Sequence, residues 1–182
     1  MLTLIILIIL FIGVYAGQRR GLILQVVHTA GYIVSFFVAK NYYLLLAEHL
    51  EMLIPYSQPG IGDEMVYYDT LEKLNLDLAF YNALSFLIII AAGWLVTRIL
   101  GYMLNSLAYL PVLKQVNNLG GAILGLLMQY FGVFLLLSFF TFIPFDFIQN
   151  QLAESGLANW IIQNTPYLSS TVYEWWVGII AA

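Results

Sequence analysis

Among the polar side chains inside otherwise apolar stretches of the chain, Gln25, His28, Asn82, Ser85 and Gln129 are the candidates for an intramembrane polar path. Such groups are costly in hydrocarbon, so by default they face a bundle interior or a water-filled path, where they serve ions, protons or solutes. Gln25 and His28 are three residues apart and share a helical face. His28 is the histidine placed inside an apolar run, and imidazole is the side chain whose ordinary pKa suits proton exchange near neutrality. The competing chemistry is structural. The same side chains can bond to one another or to backbone and hold helices in register, and a bundle of four helices leaves little bore.

Charged residues fall into two groups. Arg19, Arg20, Arg98 and Lys114 flank apolar runs, where long basic side chains reach toward lipid headgroups. The carboxylates gather elsewhere: Glu48, Glu51, Asp63, Glu64, Asp69, Glu72 and Asp77 all lie within residues 41–77. Asp63 and Glu64 with Asp69 match no calcium-loop spacing and read as a solvated acidic face. No Ser-His-Asp arrangement, phosphate-binding glycine loop or HExxH sequence occurs, and there is no cysteine. Catalytic, cofactor and metal sites are therefore not expected, and enzyme is the class with least support.

A third pattern consists of small residues. Gly13, Gly17 and Gly21 are four apart, as are Gly31, Ser35 and Ala39, and Gly121 and Gly125 repeat the spacing with Gly132 seven residues on. That spacing lines small residues into a groove where a second helix backbone can approach closely. Packing within the chain is favoured over an oligomer interface. Gly17 and Gly21 also flank the arginine pair, so a chain reversal held at the headgroups is the alternative for that segment.

The elements that must carry these residues follow from composition. Of 182 residues 62% are hydrophobic and 9% charged, against roughly 45–50% and about 25% in ordinary soluble domains. Too few polar groups remain to cover a water-soluble globule. A net charge of −4 with a pI near 4.9 offers no basic stripe for nucleic acid. The expected fold is an all-α integral membrane protein with four transmembrane helices, over residues 2–17, 22–40, 78–100 and 119–143. An acidic outer loop covers 41–77, and a C-terminal interfacial helical segment covers 145–182, rich in Trp and Tyr as membrane-surface segments are. Further short elements are expected: a helix prolonged over 44–53, a surface helix over 65–74, helix continuing from 100 to 110, and Asn117 or Asn118 as an N-cap. The first run lacks the positively charged start of a signal peptide, which makes cleavage after Ala16 the lesser reading.

Arg19, Arg20, Arg98 and Lys114 lie between spans one and two or three and four, whereas Lys40 and Lys73 lie on the other side with every carboxylate. By the excess of Lys and Arg, the first four are inner-interface residues and both termini and the acidic loop face outward.

The segment Gly17-Gln18-Arg19-Arg20-Gly21-Leu22, followed by Gly31, Phe36-Phe37-Val38-Ala39 and Tyr42-Tyr43, resembles the start of the colicin V production protein family, CvpA. Leu110-Pro111-Val112 and the run Val116-Asn117-Asn118-Leu119-Gly120-Gly121-Ala122-Ile123-Leu124-Gly125 are similar to that family's connector and its Asn-then-Gly entry to the last span. Glu154-Ser155-Gly156-Leu157 before Pro166 fits more loosely, and the acidic loop is longer than the family pattern. The resemblance implies a small multi-pass protein of the bacterial inner membrane, concerned with toxin or peptide production or export and with envelope homeostasis. Membrane transport or channel activity is the expected mechanism. A non-conducting scaffold that recruits secretion or cell-envelope partners is the alternative. The expected partners are the lipid bilayer, with a homo-oligomer and secretion or envelope proteins left open.

Overall fold

The computed structural model describes residues 1–59, 65–68, 76–103 and 114–178. All regular structure among the described residues is helical: α1 (Leu2–Leu53), α2 (Leu76–Met103), α3 (Lys114–Phe140), α4 (Asp146–Glu154), α5 (Gly156–Asn164) and α6 (Leu168–Trp176). Three helices, α1, α2 and residues Gln115–Phe140 of α3, are long and apolar enough to cross a membrane. Their outer surfaces carry side chains that a water-soluble fold would cover. Phe11 is 70% exposed and Leu119 65%, as suits contact with lipid rather than water.

The chain forms two compact units. Unit 2 comprises Ile5–Lys40 and Ile88–Val133, and unit 1 comprises Met1–Leu4, Asn41–Leu87 and Phe134–Ala182.

In unit 2, α1 is broken at Gly21, where φ is 78° and ψ 167°. That backbone region is essentially closed to residues with a Cβ. The contacts on either side show what the break does. Before it, Gly13 lies against Gln129 and Gly125, Gly17 against Gly121 and Gly125, and Gly21 against Asn117. After it, Leu22 lies against Gly120 and the Phe36 ring meets Phe131, centroids 5.5 Å apart. The chain descends α3 toward its N-terminus and then climbs it again. Gly21 is therefore an elbow joining two oppositely directed arms of α1. The first arm, residues 2–20, rises about 28 Å at 1.5 Å per residue, close to a bilayer core of about 30 Å.

The second arm meets α2 in the opposite sense. His28 packs on Gly101, Gly31 on Thr97 and Ser35 on Gly93. Ser35 Oγ and Thr97 Oγ1 each donate to the carbonyl four residues back, Gly31 and Gly93, at 2.7 Å. These hydroxyls thus spend their hydrogen bonds within their own helices.

Lys114 opens α3 ahead of Asn117, so neither Asn117 nor Asn118 is its N-cap. Asn117 Oδ1 instead accepts the Leu22 amide at 2.8 Å. The elbow frees that amide from intrahelical bonding, and the asparagine caps the second arm of α1 from a neighbouring helix.

Unit 1 is built from the end of α1, the start of α2, the end of α3 and helices α4 to α6. Helix α1 carries on to Leu53 through the first part of residues 41–77, where Ala47 and Leu50 pack with Tyr81. Tyr81 donates to the Ile54 carbonyl at 2.6 Å, which ties the chain where the helix stops. Residues 65–68 are non-helical. The rest of the expected 65–74 helix and the 104–110 continuation lie outside the described residues, as does the side chain of Lys114.

Composition makes the tail suited to a membrane surface, and Trp160, Tyr167 and Tyr173 are exposed. The same three helices also supply a core. Ala158, Ile161, Val172 and Trp176 are buried, and Trp176 meets both Phe86 and Phe142 edge to face. Thr3 and Ser155 are hydrogen-bonded at 2.9 Å, so the start of the chain is fastened to the cap of α5.

A Cβ at Gly125 would fall 2.8 Å from Gly17 Cα, and one at Gly132 would meet nothing within 4 Å. Gly125→Leu should therefore lower stability by about 1–3 kcal/mol, the usual cost of overpacking. Gly132→Ala should be neutral or mildly stabilising. Thermal unfolding midpoints in detergent check both. Gly21→Ala should cost about 1–3 kcal/mol through backbone strain, and an unchanged midpoint would show that the elbow does not need its glycine.

Candidate functional site

The sequence-selected polar residues divide between the units. Gln25, His28 and Gln129 belong to unit 2, Asn82 and Ser85 to unit 1.

In unit 2 the capping of the second arm sets Gln25 and His28 one and two turns above the elbow. Gln25 is 1% exposed and its Oε1 lies 3.5 Å from Arg20 Nη1, a long contact. His28 is also buried, and its Nδ1 is 2.7 Å from the Leu24 carbonyl. A carbonyl can only accept, so Nδ1 carries the proton in this contact. Nε2 lies on the side of Gly101, a position where a Cβ would displace the ring. Gln129 is partly buried and its aliphatic carbons fill the space over Gly13.

Of these residues His28 lines a cavity of about 320 Å³, together with Arg19, Arg20, Leu24, Arg98 and Tyr102, with Gly101 in its wall. The glycine elbow places Arg19 and Arg20 at its rim, and α2 brings Arg98 alongside. Arg98 lies over the Trp94 ring at 5.2 Å and Arg19 over the Tyr15 ring at 5.7 Å, so both guanidiniums rest on aromatic faces. The segments that form unit 2 contain no Asp or Glu, while they hold Arg19, Arg20, Lys40, Arg98 and Lys114. Of these, Arg19, Arg20 and Arg98 line the concave space, where their charge acts more strongly than on an open surface.

In unit 1, Asn82 Nδ2 donates to the Trp176 carbonyl at 3.2 Å, while the Ser85 hydroxyl is buried with no partner among the described residues. Gln149, which sequence reasoning passed over, knits three segments together. Its Oε1 accepts from the Val66 amide at 3.1 Å, and its Nε2 donates to the carbonyls of Thr141 and Ile143 at 3.3 and 2.8 Å. A second cavity, of about 440 Å³, is lined by Tyr67, Thr141, Phe142, Gln163, Tyr173 and Trp176 among others. Its wall includes Trp176, whose buried Nε1 has no acceptor among the described residues. The sequence signal for it was the aromatic density of the tail, which does not say which rings turn inward. Three or more His, Asp or Glu side chains grouped as metal ligands do not occur among the described residues.

Apolar helices of spanning length, lipid-suited outer surfaces and buried glycine contacts define a polytopic α-helical membrane protein. The colicin V production protein family matches residues 2–166, and the chain belongs to that family. It is 38% identical over 176 residues, 97% of each chain, to a protein of Bacillus subtilis (strain 168) described as the uncharacterized transmembrane protein YshB. No solved structure matches it.

Burial pushes the Tyr67 phenol up to about 12, and its hydroxyl donates to Asn159 Oδ1. With the folded pKa above the unfolded value of about 10, the contribution is complete below pH 10 and is lost as pH rises toward 12. Tyr67→Phe should therefore cost about 1 kcal/mol at neutral pH and flatten the fall in stability between pH 10 and 12. Unfolding midpoints across that range measure both effects.

Proposed function

We propose that this protein crosses the bacterial inner membrane four times and acts in toxin or peptide production or export and in envelope homeostasis, by membrane transport or channel activity. The observation that carries the transport reading is the basic cavity of unit 2, whose wall includes the buried His28 and whose Arg20 approaches the buried Gln25. A cavity with three guanidiniums and the buried His28 in its wall suits the entry of a polar or anionic solute. Support for four crossings comes from the Gly21 elbow: each arm of α1 runs against α3, in opposite directions. In this reading both termini and the acidic loop are outside, and the arginine elbow is inside.

The scaffold reading has its own support. Within unit 1, Gln149 and Asn82 spend their polar atoms on backbone groups. Unit 1 also contains every Asp and Glu of the chain. A unit of such acidic composition is a suitable docking platform for a secretion or envelope partner.

Single cysteines at Ser57 and Gln115, both exposed, test the topology, because the native chain has none. A membrane-impermeant thiol reagent on intact cells should label Ser57→Cys only, and the reverse pattern would invert the orientation. For the mechanism, His28→Ala in purified protein reconstituted in liposomes should alter solute flux or its pH dependence while the protein stays folded and inserted. If cells carrying His28→Ala, or that change together with Gln25→Ala, behave as wild type, the transport reading fails and the scaffold reading takes its place.

A further inference from the structure

The cavity at the elbow has a chemistry that transport alone does not explain. Arg19, Arg20 and Arg98 converge on it from two helices, and His28, Gly101 and Tyr102 complete its wall. Unit 2 offers these guanidiniums no carboxylate, since its segments contain no Asp or Glu. Arg20 is half-buried with a long contact to Gln25, and Arg98 is half-buried against Trp94. Partly desolvated arginines held without an anion are an incomplete arrangement, because a guanidinium fork gains most from a bidentate oxyanion. At about 320 Å³ the space falls at the small end of ligand pockets, which run to about 300–1,000 Å³.

We propose that this cavity binds a phosphate oxyanion, and that the oxyanion is the headgroup phosphate of an anionic phospholipid. Three observations choose the phosphate of a lipid over one in solution. Tyr102 lines the cavity and Tyr15 and Trp94 stand beside its arginines, all three with exposed rings, and Trp and Tyr concentrate at the headgroup level of a bilayer. Arg19 and Arg98 lie on two of those rings, so the charges sit at the same depth as the aromatic collar. The helices on either side continue as exposed aliphatic surface, with Val96, Ile99 and Leu100 on α2 and Ile12 on α1, beside which acyl chains can lie while the phosphate enters the cavity. Basic pockets between transmembrane helices take anionic headgroups on the same physical grounds. The inference holds whether or not a solute crosses the protein.

The test uses the full chain purified in a detergent with an uncharged headgroup, titrated with phosphatidylglycerol, with phosphatidylcholine or with inorganic phosphate, and read by the thermal midpoint. Phosphatidylglycerol should raise the midpoint and phosphatidylcholine should not. Arg20→Gln and Arg98→Gln should each weaken the apparent affinity about tenfold or more, the scale of one charge-assisted hydrogen bond. Arg98→Lys should recover only part, because the ammonium keeps the charge without the fork. If a glutamine variant does not fold, Arg19→Gln is read in the same way, since Arg19 is exposed. Saturation by millimolar inorganic phosphate, with no further gain from phosphatidylglycerol, keeps the oxyanion site and overturns the lipid as its source. Equal effects of phosphatidylglycerol and phosphatidylcholine, unchanged in Arg98→Gln, overturn the proposal. Flux takes no part in the readout, so a protein that binds the headgroup yet conducts nothing fails the transport reading alone.

Discussion

Backbone touches backbone where Gly13, Gly17 and Gly21 meet Gly121 and Gly125, and the rest of unit 2 is arranged around that contact. In lipid no hydrophobic drive brings helices together, so the energy of association is dispersion at short range and whatever polar bonds the approach permits. Closeness at the glycines allows Asn117 to reach the Leu22 amide. That bond in turn fixes where the second arm of α1 begins, and hence the height at which Gln25, His28 and the α2 contacts at Gly93, Thr97 and Gly101 fall. A single added methyl at the seam would meet backbone, which cannot rotate away.

The two units divide the chain's charge as well as its contacts. Unit 2 has five cationic side chains and no carboxylate, and unit 1 has all ten carboxylates with Lys73 as its lysine. Within unit 2, His28, Ser35 and Thr97 bond carbonyls of their own helices, and within unit 1, Asn82 and Gln149 bond carbonyls of other segments.

Membrane class and family were legible in the sequence because both rest on local information: apolar run length, and short motifs around Arg19-Arg20-Gly21 and Asn117-Asn118. The four-residue glycine spacing was legible too, but it names only a face. That Gly17 meets Gly121 while Gly31 meets Thr97 depends on the order in which helices neighbour one another, and spacing does not encode that order. Asn117 looked like a cap for its own helix because side-chain capping is a local motif; the elbow at Gly21 supplied a free amide 95 residues away and took the bond. The tail was ambiguous for a similar reason. Tryptophan suits both a membrane surface and a core, and only the neighbours Phe86 and Phe142 decide that Trp176 is inside.

The cross-helix cap also bears on how the molecule is made. The Leu22 amide leaves the ribosome long before Asn117 does, and at about 5–20 residues per second the 95 residues up to and including Asn117 take about 5–20 s to synthesise. If Gly21 breaks the helix before α3 is present, the Leu22 amide has no side-chain acceptor, and an orphaned amide in hydrocarbon costs several kcal/mol. Water or headgroup oxygens must therefore serve it until α3 arrives. An elbow formed that early would have to stay at the membrane boundary, and the arrival of α3 would be the step that dries and closes the joint.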